Sequence, residues 1–113
     1  MSTSEIATVL AWHDALNAKD LTTLVDLSSD DIEIADAHGA AQGLEALQKW
    51  AQSVSETVTV GRLYVNDGVV VAEQGAGASA FRVVHDQVTS VFRHPDLAAA
   101  LAATDLTEDD LDA

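Results

Sequence analysis

Cysteine is absent from the 113-residue chain, which excludes a disulfide framework, a thiolate metal site and a cysteine nucleophile. Stability must then come from packing alone. Basic side chains are scarce: Lys19, Lys49, Arg62, Arg82 and Arg93 face 19 acidic residues, for a formal net charge of -14 and a pI near 4.1. No basic patch can be assembled from them, so nucleic acid and anionic membranes are excluded as partners, because phosphate binding needs clustered Lys and Arg. A well-solvated surface and adaptation to a salty cytoplasm both fit such acidity. Long apolar runs are missing too. The longest, Leu97 to Ala103, falls far short of the roughly 20 residues of a membrane helix. The opening MSTSEIATVL has no basic residue and does not resemble a signal peptide, so a cytoplasmic location is expected.

Hydrophobic residues make up 48% of the chain, which predicts one packed domain. Ser2 and Glu5 stand at capping-box spacing, and Ile6, Val9, Leu10, His13 and Leu16 recur at helical intervals, predicting a first helix to about Ala18. Asp20 caps a second helix with Leu21, Leu24 and Val25 inward, ending at Ser28-Ser29-Asp30. Ile32 and Ile34 alternate with Glu33 and Ala35 in a short strand that closes on Asp36. His38 to Gly43 reads as a loop, and Leu44, Leu47, Trp50 and Ala51 mark a third helix.

Beyond it the period changes to that of strands. Thr57 to Val65, Val69 to Gln74, Ala78 to Val84 and Val88 to Arg93 are Val- and Thr-rich, and short turn signals between them suit an antiparallel meander. Pro95, the one proline, stops the last strand, and Asp96 can cap a brief Ala/Leu helix. The predicted fold is α+β, with three N-terminal helices packed on a curved antiparallel sheet that forms a cone-shaped pocket. The domain covers residues 1–103, and residues 104–113, with five acidic side chains, form a frayed acidic tail.

Three segments resemble the nuclear transport factor 2-like superfamily, which includes ketosteroid isomerases, limonene epoxide hydrolase and SnoaL-like polyketide cyclases. They are Trp12 with Ala15-Leu16-Asn17-Ala18-Lys19-Asp20-Leu21, then Asp30-Asp31-Ile32-Glu33-Ile34-Ala35-Asp36, then Gly43-Leu44-Glu45-Ala46-Leu47. Within the first, Lys19 occupies the place of the family's glycine. The resemblance puts Asp36 at the isomerases' catalytic aspartate, Trp12 at an oxyanion-hole tyrosine and, by way of Phe81-Arg82, Ser79 at a protonated aspartate. Both strong oxyanion donors are thus replaced by weaker ones.

Asp36 is either a general base held at an apolar wall or a carboxylate capping the following loop. His38, two residues on, either shares its face or lies in solvent; no metal-binding spacing accompanies it, and no metal or cofactor is expected. Trp12 and Phe81 are candidate pocket lining, whereas Trp50 and Phe92 read as core. Glu73 is an edge charge or a second pocket carboxylate. The resemblance implies a small-molecule enzyme, an isomerase, cyclase or hydrolase acting on an apolar carbonyl compound with Asp36 as base. A non-catalytic ligand-binding module, or a homodimer paired through its sheet face, is the alternative.

Overall fold

The computed structural model describes residues 2–36, 39–54, 59–75 and 77–112. Helix α1 (Ser2–Ala18) turns at Lys19 into α2 (Leu21–Asp26). The Asp20 carboxylate accepts hydrogen bonds from Thr23 N and Thr23 Oγ1 at 3.2 and 2.7 Å, satisfying a helix-end donor. Lys19 adopts φ 58°, the left-handed conformation that glycine takes most easily. Its Nζ donates to the carbonyl oxygens of Ala51 and Val54, so a non-glycine residue here ties the α1–α2 corner to the end of a third helix.

The chain continues through β1 (Ser28–Asp36), β2 (Gly39–Gln42) and α3 (Leu44–Ser53), then β3 (Val60–Asn66), β4 (Val69–Gln74), β5 (Gly77–Val84), β6 (Gln87–His94) and α4 (Leu97–Thr104). The six strands form one sheet in the order β2-β1-β6-β5-β4-β3. The expected meander is present from β3 to β6, with Asp67-Gly68 and His85-Asp86 at positive φ in its two-residue turns. Two sequence expectations are corrected. The sheet is mixed, because β1 runs parallel to β6. The segment read as a loop after His38 includes the edge strand β2, antiparallel to β1.

One row of residues on the inner face runs Ile34, Val91, Phe81, Val70 and Val65 across β1, β6, β5, β4 and β3. Above it α1, α2 and α3 contribute Val9, Trp12, Leu16, Leu24 and Leu47 to a single core. Val9, Leu16, Leu24 and Leu47 are positions whose helical spacing predicted burial; Trp12, expected as pocket lining, joins them, whereas Leu10, expected on the same stripe, is exposed. Among the described residues, no helix is long and apolar enough to cross a membrane.

A second cluster lies on the outer face, where Tyr64, Val71, Ala78 and Ala80 meet Ala100 and Leu106. The tail expected to fray is docked there. Leu106 is only 7% exposed, Leu111 bridges to Tyr64, and Asp112 N donates to Leu63 O at 2.8 Å. The two leucines interrupting the acidic run explain the difference, since each buries apolar surface that the charges flank. Leu106→Ala is expected to cost about 2 kcal/mol in urea unfolding. A change within 0.5 kcal/mol, roughly that of a surface substitution, would mean that the segment is not docked in solution.

Candidate functional site

Two residues beyond the Ile34 row, alternation brings a second set of side chains to the same inner face. Asp36 follows Ile34 on β1, Arg93 follows Val91 on β6, and Arg93 pairs in turn with Ser79, which pairs with Ala72. Asp36 is partly buried and lines a depression of 260 Å³ with Ile34, Gly39, Ala40, Ala41 and Trp50. Strand β2 makes one wall because Gly39 and Ala41 pair with Asp36 and Ile34 and carry little or no side chain. Trp50 on α3 makes the apolar wall. It is half-buried and stacks on Trp12 with ring centroids 5.9 Å apart. The indole N–H of Trp50 has no hydrogen-bond partner among the described residues.

Sequence reasoning assigned Trp50 to the core. Trp50 does pack against the inner core, but it is only partly buried and also lines the depression, which the helical spacing of Leu47, Trp50 and Ala51 does not reveal. His38 lies outside the described residues, and with it the choice between sharing the face of Asp36 and lying in solvent.

The other candidates are placed deeper. Trp12 is 1% exposed, its ring is edge-on to Phe81, and its indole Nε1 donates to Ser28 Oγ at 3.0 Å. Ser28 Oγ in turn donates to Leu24 O at 2.7 Å. Phe81 is equally buried, packed between Trp12 and His13. The N–H that an oxyanion would need from Trp12 is therefore engaged inside the core.

Ser79 is also engaged, through a chain that the sequence did not reveal. A carbonyl oxygen can only accept, so the 2.9 Å contact between His13 Nδ1 and Val9 O places the proton on Nδ1. His13 Nε2 then accepts from Gln74 Nε2 at 2.7 Å, and Gln74 Oε1 accepts from Ser79 Oγ at 2.6 Å. Each buried polar group is satisfied in one direction, with the serine proton pointed at Gln74. Ser79 thus offers lone pairs to the inner face instead of a proton. Gln74 could not be singled out from sequence, because its role needs α1 to lie over the end of β4.

Burial pushes the His13 pKa below the usual 6.5, the positive charge of Arg93 adds to this, and the Val9 carbonyl and Asp14 act in the opposite sense. The fold holds the neutral ring, while below pH 6.5 the unfolded chain takes up a proton. Stability is therefore full above that value and is lost as pH falls through and below it. The expected slope between pH 6.5 and 5 is at most about 1.4 kcal/mol per pH unit, one proton's worth. His13→Gln should flatten this part of a urea-unfolding pH series; an unchanged slope in the variant would assign it to other groups.

Glu73 belongs to the outer face, opposite Ala78, and forms a two-pronged pair with Arg62 at 3.2 Å on each prong. It is not a pocket carboxylate. Arg62 holds the Glu73 pKa below the ordinary carboxylate value through these hydrogen bonds. Tyr64, also outward, is covered by the docked C-terminal segment, with its hydroxyl 3.4 Å from a Glu108 carboxylate oxygen.

Helices laid over one face of a mixed, curved six-stranded sheet are the architecture of the nuclear transport factor 2-like superfamily. Within it, the chain belongs to the family of the SnoaL-like domain, whose model matches residues 9–101. Among solved structures, a nuclear transport factor 2-like protein from Burkholderia xenovorans superposes with a TM-score of 0.73 at 20% identity, covering 92% of this chain and 98% of that one. An LEH-like epoxide hydrolase from M. tuberculosis gives 0.73 at 18% identity, covering 91% and 96%. A nuclear transport factor 2-like protein of unknown function from Cytophaga hutchinsonii gives 0.75 at 14%, covering 84% and 92%. Identities this low establish the shared fold. The search of curated proteins finds no match.

Proposed function

We propose that the chain is a SnoaL-like small-molecule enzyme that acts on a carbonyl compound, as an isomerase, cyclase or hydrolase, with Asp36 as general base. The observation that carries this is the position of Asp36, a carboxylate on the rim of a 260 Å³ depression walled by Ile34 and Trp50. A volume below the roughly 300–1,000 Å³ of drug-sized sites suits a small ligand. The LEH-like epoxide hydrolase of the same fold supports an enzymatic use of such a frame. Since the protons of Trp12 and Ser79 are committed to Ser28 and Gln74, the donor proposed for developing negative charge is the indole N–H of Trp50, a lining residue.

The test is solvent-deuterium exchange into a panel of cyclic ketones and polyketide-like carbonyl compounds. Exchange above background is expected for at least one of them, and none across the panel would count against an enzyme.

A second reading, dimerisation through the sheet, has one observation in its favour. Phe92 is 39% exposed on the part of the outer face that α4 leaves open, beside Arg82 and Ser90. A strictly monomeric mass in light scattering would exclude it.

A further inference from the structure

Arg93 is one of five basic residues in a chain with 19 acidic ones, yet among the described residues it makes no ion pair. Among the described residues, the ion pairs within 4 Å use Lys49 with Glu45 and Arg62 with Glu73. Arg93 also shares the inner face with Asp36. Val91, two residues before it, is buried in the inner core, and Ser79, its direct partner on β5, faces the same way. Phe92 pairs with Ala35, so Arg93 and Asp36 are the next positions on adjacent parallel strands. Neighbouring strands lie about 4.8 Å apart, which brings a cation and a carboxylate to the same end of the site.

We infer that Arg93, exposed on β6 one strand from Asp36 and outside the lining of the depression, is an anion-binding subsite beside it, and that the ligand is a small ketone that carries a carboxylate. This rests on the proposed reading of Asp36 as base. The arginine fork holds the ligand carboxylate. The carbon next to the ketone then lies against Asp36, one strand away. Asp36 takes a proton from that carbon, the electron pair moves onto the ketone oxygen as an enolate, and return of a solvent-exchanged proton regenerates the ketone. No other reactant is needed. The net charge of -14 repels anions at long range, but screening limits that field to roughly 8 Å at physiological salt, and contact pairing decides binding.

Levulinate and its neutral amide, nearly the same shape, separate charge from fit. By NMR titration the protein is expected to bind levulinate about tenfold more tightly than levulinamide. Arg93→Gln should bring that ratio close to one, and Arg93→Lys, which keeps the charge without the fork, should retain part of it. Equal affinities in the parent protein, a ratio unchanged in Arg93→Gln, or no binding of either compound at millimolar concentration would each overturn the subsite. If exchange into cyclic ketones requires Asp36 while levulinate and its amide bind alike, the subsite fails and the base stands. If the levulinate preference depends on Arg93 but no exchange occurs with any compound, the base fails and the subsite stands.

Discussion

Trp12→Ala is expected to lower the free energy of unfolding by about 3–5 kcal/mol, a large part of the 5–15 kcal/mol typical of a small domain. The indole is 1% exposed, stacks on Trp50, meets Phe81 edge-on at 5.5 Å and donates to Ser28. Truncation removes all of these contacts and leaves a cavity under the helices that rigid strands cannot close. Trp12→Phe keeps most of the volume and loses the indole hydrogen bond, so about 1–2 kcal/mol is expected. Urea unfolding of both variants decides the role of this residue. A loss below about 1 kcal/mol for Trp12→Ala would contradict a core function and return the indole to the ligand site.

For Asp36→Asn, exchange into any ketone the parent protein accepts should fall by about 10²–10⁴-fold, the usual contribution of a positioned general base. The amide cannot take up the proton, while its size preserves the depression beside Gly39, Ala41 and Trp50. Affinity for the ketone should change much less, because the apolar wall is intact; kcat carries the loss. Exchange at the parent rate in the variant would remove Asp36 from the chemistry.

The helices and the meander were legible because each has a strong local period: Val9, Leu16 and Leu24 by helical spacing, Val70, Phe81 and Val83 by strand composition. The resemblance of Ala15–Asp36 to a known family supplied the order of elements. What escaped depends on contacts distant in sequence. Residues 39–42 are exposed throughout and have no alternating pattern, so an edge strand there reads as a loop. The parallel pairing of β1 with β6 joins segments more than fifty residues apart. Leu106 and Leu111 sit in an acidic run whose composition suggests a tail, and only the apolar outer face shows what they bury.

The candidate site divides the same way. Asp36 was legible as a carboxylate closing an Ile-rich strand. The resemblance alone points to Trp12 and Ser79 as donors, and their protons turn inward for a reason that needs Ser28 and Gln74 in place. That Trp50 lines the depression depends on where α3 packs, and that Arg93 stands one strand from Asp36 depends on the sheet register.

The two tryptophans permit one direct measurement, because their indole N–H signals are separately observable in a proton–nitrogen correlation spectrum. Titration with cyclohexanone should shift the Trp50 indole signal saturably and leave the Trp12 signal nearly still, since only the former lines the Asp36 depression while the latter is locked to Ser28. A saturable shift confined to the outer-face residues Phe92 and Arg82, with both indole signals unmoved, would place the ligand elsewhere and contradict a site at Asp36.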